Sequence, residues 1–291
     1  MTKKNMPAMA TRLGAAALTV GSMLAAAVPA TAEEWSDTAL SWRYGTHFSE
    51  PYNDNNITKN IIGLTHIGGY KYGTNFFSVD LLMSNDKDPA DAGPPPSGEA
   101  QEAYVIYRNT IDLSKVTHEE YKFGVVKGVG ATFGFDWNTK NDCCYDSKKR
   151  MLVLGPTLMI DVPGFLNVSV LELWESNYPT GTTSRYEYKP HPMLTANWGI
   201  PIGDSAFSFE GFVNYIAAKG TDEFGNGTKP ETNFDGQIML DVGRVTGGAK
   251  NTFKVGFEYQ WWRNKFGNDA SLPGDSGAFA HTPMVRAEYH F

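Results

Sequence analysis

The chain has 291 residues, with 25 Lys and Arg against 32 Asp and Glu and a formal net charge of −7. That acidic balance argues against nucleic acid as a partner, because a phosphate backbone demands a basic face. The two cysteines are neighbours, Cys143 and Cys144, so they cannot staple distant segments; they form a vicinal disulfide or stay reduced, and two adjacent thiols alone make no metal site.

Residues 1–32 read as a cleavable signal peptide. Lys3, Lys4 and Arg12 give a positive start, residues 13–28 a small-residue apolar core, and Ala30-Thr31-Ala32 a cleavage site. The expected mature chain, residues 33–291, has 291 − 32 = 259 residues and a charge of −7 − 3 = −10. No apolar run in it approaches the ~18 residues a spanning helix needs. Barrel strands alternate lipid-facing and lumen-facing residues, so a neutral average is also what a membrane barrel gives.

Twelve alternating segments follow one another. Thr38, Leu40, Trp42 and Tyr44 oppose Ser41, Arg43 and Gly45, and a polar loop is expected over residues 49–56. A second segment runs through Ile62 and Leu64 to a tight turn at Gly68-Gly69. Phe77, Val79 and Leu81 then oppose Phe76, Ser78 and Asp80. A long connection holding Pro94-Pro95-Pro96 leads to Ala103, Val105 and Tyr107, with Tyr104, Ile106 and Arg108 on the reverse. After a polar connection over residues 112–120, Val129, Ala131, Phe133 and Phe135 oppose Gly130, Thr132, Gly134 and Asp136. The cysteine loop precedes Leu152, Leu154, Leu158 and Ile160, and Pro163-Gly164 turns the chain into residues 166–174.

The eighth segment is residues 193–200. The ninth sets Phe207, Phe209, Gly211, Val213 and Tyr215 against Ser208, Glu210, Phe212 and Asn214. In the tenth, Phe234, Gly236, Ile238, Leu240 and Val242 oppose Asp235, Gln237, Met239 and Asp241; Gly247-Gly248 is the next turn. Phe253, Val255, Phe257, Tyr259 and Trp261 oppose Lys254, Glu258, Gln260 and Trp262. The last segment sets Val285, Ala287, Tyr289 and Phe291 against Arg286, Glu288 and His290, an ending that resembles the C-terminal assembly signal of bacterial outer-membrane barrels.

Side chains alternate faces along a strand, so each segment has a greasy side and a polar one. Short turns alternate with long polar connections. The pattern predicts an all-β, transmembrane, antiparallel up-and-down β-barrel of twelve strands in the bacterial outer membrane, with both termini at the short-turn end. A secreted β-sandwich explains the alternation but not the aromatic-tipped apolar faces.

The polar parity gathers Arg43, Asp80, Arg108, Asp136, Glu210, Lys254, Glu258, Arg286 and Glu288 toward the lumen. A basic residue turned to lipid at mid-depth costs about 2–4 kcal/mol. These groups either ion-pair to stiffen the wall or bond a passing solute. Phe212 and Trp262 share their parity, and Phe48 stands where the first strand enters its loop. Tyr215 joins them only if a bulge changes its face. His66, His118, His191 and His281 fall near turns, at positions expected to be solvated. Asp86, Asp88 and Asp91 are expected in a loop, solvated or in contact with Ca²⁺ or lipopolysaccharide.

The runs Tyr70-Lys71-Tyr72-Gly73-Thr74-Asn75-Phe76-Phe77-Ser78-Val79-Asp80, Met151-Leu152-Val153-Leu154-Gly155-Pro156-Thr157, Phe209-Glu210-Gly211-Phe212-Val213-Asn214-Tyr215 and Thr252-Phe253-Lys254-Val255-Gly256-Phe257-Glu258-Tyr259 resemble the nucleoside-specific outer-membrane channels, the Tsx-like proteins. Ser41-Trp42-Arg43-Tyr44-Gly45-Thr46-His47-Phe48 is similar to their first-strand region. The resemblance implies a monomeric twelve-stranded barrel with a narrow nucleoside passage lined by aromatic and ionisable side chains.

The expected function is passive passage of nucleosides or similar small polar solutes, without a cofactor. Expected partners are those solutes, outer-membrane lipid and lipopolysaccharide, and the barrel assembly machinery through the strand ending in Phe291. The alternative is a structural or adhesive barrel whose loops serve phage or host attachment. No nucleophile elbow or metal-ligand spacing supports an enzyme.

Overall fold

The computed structural model describes residues 34–88, 99–142, 144–274 and 276–291. The expected leader lies outside them, as do Asp91, Pro94-Pro95-Pro96 and Cys143. Alternation becomes strand wherever one greasy face is long enough to cover: β1 (Trp35–Glu50), β2 (Asn53–Tyr70), β3 (Gly73–Ser84), β4 (Gln101–Asp112), β5 (Val126–Asn141), β6 (Arg150–Ile160) and β7 (Phe165–Asn177) come first. β8 is a two-residue strand (Tyr186–Glu187) against the end of β7; β9 (His191–Pro201), β10 (Phe207–Ile216), β11 (Glu231–Asp241), β12 (Phe253–Arg263) and β13 (Phe279–His290) complete the chain.

Each long strand pairs antiparallel with its sequence neighbours. β1 pairs with β13, from Ala39 opposite His290 to Gly45 opposite Met284, and this rung closes the sheet into a twelve-stranded barrel. Closure leaves no free edge among the twelve, which a membrane interior requires. Phe291 lies one residue past β13, but its N–H still donates to the Thr38 carbonyl at 2.9 Å.

The outer face is greasy all round. Leu40, Leu81, Leu152, Leu154, Val170, Leu194, Ile238 and Phe257 are exposed there. In water so large a patch would aggregate; hydrocarbon tails cover it. Among the described residues no helix is long and apolar enough to cross a membrane. Gly211 shows how the wall is finished. A Cβ there would stand 3.1 Å from Trp198, so its absence lets that indole lie flat between Phe209 and Phe234, with centroids at 5.2 and 5.9 Å.

Several expected connections differ. The polar stretch 49–56 is not a loop: β1 and β2 run on into a hairpin turning at Pro51 and Tyr52, whose inward Glu50 and Asn53 are buried by an ion pair to Lys59 and a hydrogen bond to the Lys87 carbonyl. Gly68-Gly69 lies inside β2, and the turn is Lys71-Tyr72. The connection after β4 contains a one-turn helix, Leu113–Thr117, whose first turn is capped by Asp112 accepting from the Ser114 N–H. Val242 belongs to a second such helix, Val242–Thr246, capped by Asp241 and ended by Gly247.

Candidate functional site

Eleven of the expected lumen residues stand on the regular inward parity: Arg43, Asp80, Arg108, Asp136, Glu210, Phe212, Lys254, Glu258, Trp262, Arg286 and Glu288. Five of them form one chain of ion pairs across β3, β1, β12 and β13. Arg43 pairs with Asp80 and, at 3.5 Å, with Glu258; Arg286 meets Glu258 at 2.6 Å and Glu288 at 2.5 Å. The chain continues from Glu288 to His290 at 3.3 Å and on to Asp37 at 2.9 Å. Glu210 makes a second cluster with Lys254 (3.2 Å), Gln237 (3.2 Å) and Ser208 (2.6 Å). Arg108 pairs with Asp136, which also accepts from the Tyr104 hydroxyl at 3.1 Å.

The opposite wall is made of hydroxyls. Thr110 and Thr132 (2.7 Å), Thr132 and Thr157 (2.5 Å), and Thr157 and Ser169 (2.7 Å) form a ladder across β4 to β7, and Thr195 donates to Asn214 at 2.6 Å. Sequence reasoning missed this wall. Its signal was a short polar residue at the same inward parity on four successive strands.

Two expectations about aromatic residues need correction. Tyr215 faces lipid and is 51% exposed, because β10 keeps an unbroken register from Phe207 to Ile216 and no bulge turns it inward. Phe48 does face inward, through a register shift between Gly45 and Phe48 that flips the parity of β1. It is only 4% exposed, however, and packs with Ile57, Ile61, Met284 and Leu82 instead of lining an open mouth. A second inward apolar cluster, Val153, Leu171, Leu173 and Met193 with Met151 and Ile216, sits on β6, β7, β9 and β10.

Ion-pair networks overlie both clusters at the long-loop end. Lys59 meets Glu50 at 2.7 Å and Asp88 at 3.6 Å, and Lys140 meets Asp88 at 2.7 Å. Asp88, expected to be solvated or to meet Ca²⁺ or lipopolysaccharide, is thus buried between lysines. On the other side Glu175 takes Lys219 at 2.7 Å and Lys149 at 3.4 Å. His191 is buried 4.0 Å from the same carboxylate, not solvated, since its strand begins inside the mouth. His66 also departs from the expectation: it lies within β2, with its Nδ1 2.8 Å from the Thr38 hydroxyl.

Between the networks sits a 3₁₀ turn, Lys265–Gly267. Lys265 Nζ donates to the Ser49 carbonyl at 2.7 Å and meets Glu50 at 3.2 Å; the Phe266 ring lies 3.8 Å from Lys149 Nζ and 4.9 Å from Trp262. Trp262 Nε1 donates to Glu231 at 2.6 Å. Burial pulls the ammonium groups of Lys149 and Lys265 below the usual lysine range, and Glu175 and Glu50 offset only part of it. Phe266 holds φ at +60°, a left-handed conformation that costs a side chain of this kind roughly 1–3 kcal/mol.

Cys144 is disulfide-bonded. Among the described residues no group of His, Cys, Asp and Glu is arranged to hold a metal ion.

No protein-family model matches the chain, and no curated protein matches it by sequence. Solved structures similar to it include the KdgM porin, at 11% identity and a TM-score of 0.40 over 87% of this chain and 99% of that one. The translocator domain of the autotransporter NalP from Neisseria meningitidis has 12% identity and a TM-score of 0.41 over 96% and 95%. Pseudomonas aeruginosa OpdK with vanillate has 8% identity and a TM-score of 0.37 over 88% and 98%. At such values none of these likenesses bears on what the lumen admits. The closed strand order, greasy exterior and polar interior make the chain a membrane-spanning barrel of the bacterial outer-membrane type.

Proposed function

We propose that the barrel is a passive outer-membrane channel for nucleosides or similar small, uncharged polar solutes. The observation that carries this reading is the combination of an ion-paired wall (Arg43, Asp80, Glu258, Arg286, Glu288) with a hydroxyl wall (Thr110, Thr132, Thr157, Ser169) on the inner faces of β4 to β7. Charges already matched to one another offer donors and acceptors without a strong field for either sign. A ribose presents hydroxyls to the inward polar groups that keep exposure, Asp80, Arg108 and Glu210, and a base presents a flat face to the inward aromatics Phe212 and Trp262. Stacking is worth about 1–3 kcal/mol per base. With hydrogen bonding this gives affinities of about millimolar to micromolar, weak enough for the solute to leave. The resemblance to nucleoside channels supports the same reading.

Liposome swelling tests it. Nucleosides should enter faster than sugars of matched size; equal rates remove the nucleoside preference and leave an unselective pore. A second reading, a structural or adhesive barrel without specific transport, is favoured by the filled loop end, where Ile57 and Lys59 are fully buried. Purified protein that never conducts in a planar bilayer would establish it.

A further inference from the structure

The barrel interior is unequally filled along its length. Toward the middle burial is mixed: Asp80 keeps 28%, Glu210 23% and Arg108 21%, whereas Glu258 keeps 1% and Glu288 5%. At the long-loop end Lys59 keeps 2% and Thr282 none. The Lys265–Gly267 turn lies at that filled end. It leaves β12, which stands half-way round the ring of strands from β5, yet its Phe266 ring touches Lys149 on the β5–β6 connection. Its Lys265 reaches β1. One turn therefore spans the opening.

Most of its attachments are polar contacts that water can replace. The polar ones are the Lys265 contacts with Ser49 and Glu50, the Lys149 ammonium on the Phe266 ring, the Lys229 N–H to the Gly267 carbonyl at 2.8 Å, and Asn264 Nδ2 to the Pro230 carbonyl at 2.7 Å; the Phe266 ring also packs edge-on against Trp262 at 4.9 Å. The barrel ladder stops at Arg263 opposite Phe279 and Thr232, so residues 264–267 carry none of the wall's interstrand bonds. Moving them leaves the barrel intact.

Two internal stresses push the same way. Asn264, Phe266 and Gly267 are all left-handed, with φ of 53°, 60° and 88°; glycine and asparagine adopt this readily, phenylalanine does not. Burial also holds the Lys265 ammonium below its ordinary range, and swinging outward would restore its water. Contacts hold the turn in; backbone and solvation favour its release.

We infer that the Lys265–Gly267 turn is a displaceable plug that shuts the long-loop end of the lumen and must swing out before a solute can pass. The inference rests on the channel reading for its purpose, but its movement is testable without transport.

The reporter is Thr282→Cys, a near-isosteric change at a fully buried inward position, labelled with a membrane-impermeant maleimide in the full-length barrel in detergent. No reductant is added, so the disulfide at Cys144 stays unreactive. Labelling should be slow in the otherwise unaltered chain and about tenfold faster with Lys265→Ala and Phe266→Ala, the change expected from weakening closure by about 1.4 kcal/mol. Phe266→Ala removes the ring contact but keeps a Cβ in the left-handed backbone. Heat-modifiable migration confirms that each barrel is folded. If the double variant does not fold, Lys265→Gln, which keeps the ring and backbone, is read in the same way with a smaller increase expected. Equal labelling rates in folded barrels overturn the plug. Faster labelling with no solute flux in liposomes upholds the plug and overturns the channel reading.

Discussion

Arg43 of β1 and Asp80 of β3 pair across the bare backbone of Gly63, which lies on the strand between them. A Cβ on Gly63 would stand 2.8 Å from the Asp80 carboxylate and 2.5 Å from the Ser41 hydroxyl. The missing side chain thus lets an ionic wall cross a strand that contributes no charge to it. Gly63→Val should part the pair and lower stability by about 1–2 kcal/mol, below the full cost of breaking a buried pair because Asp80 is partly solvated. Urea unfolding in lipid vesicles measures it, and an unchanged midpoint would show that the pair contributes nothing.

Phe212→Ala combined with Trp262→Ala should weaken nucleoside block of ion current by about tenfold or more, the loss of two stacking contacts, while conductance persists or rises. Single-channel recording with a nucleoside panel gives the answer; unaltered block would strike both rings from the site. Tyr215→Ala is the matched control. Its side chain faces lipid, so block should not move.

Charge at mid-height is not quite balanced. The carboxyls of Asp80, Glu258 and Glu288 face the guanidinium groups of Arg43 and Arg286, and beyond Glu288 the His290 imidazole is shared with Asp37, four acids to three basic groups. Reversal potentials across a potassium chloride gradient should therefore show a mild preference for cations, reduced by Glu288→Gln. A preference for chloride would contradict this assignment of the wall.

The hydroxyl ladder is a stability element, with Thr132, Thr157 and Ser169 buried. Thr132 bonds both Thr110 and Thr157, so Thr132→Val keeps its volume and removes a bond from each, leaving Thr157 only its bond to Ser169 within the ladder. The expected loss is about 1–3 kcal/mol, read as a lower unfolding midpoint without any change in strand content by circular dichroism.

The strands were legible because alternation states which residue faces which way, and parity alone located Arg43, Asp80, Glu210, Glu258 and Arg286 on the inner wall. What parity cannot show is a place where it breaks. The shift between Gly45 and Phe48 leaves no mark in the residue types, yet it turns Phe48 inward. Nor does alternation distinguish lipid from a filled interior as the cover for Val153, Leu171 and Leu173, which are as greasy as the residues that face the membrane. The hairpin at Pro51 and Tyr52 was hidden because its buried inward residues, Glu50 and Asn53, are polar and held by ion pairing and hydrogen bonding, so they show no apolar face. Lys265 and Phe266 resembled ordinary loop residues; only their reach to Ser49 and Lys149, distant in sequence, shows their position in the mouth.

The rung that joins Ala39 to His290 links positions 290 − 39 = 251 residues apart. Until β13 is in place the remaining strands form a ribbon with two unsatisfied margins, and bringing them together carries the largest ring-closure entropy in the molecule. Maturation of this protein should thus hinge on a single late event, the zipping of its outermost ribs. A nascent ribbon held short of that step would be exposed to strand capture by its own copies.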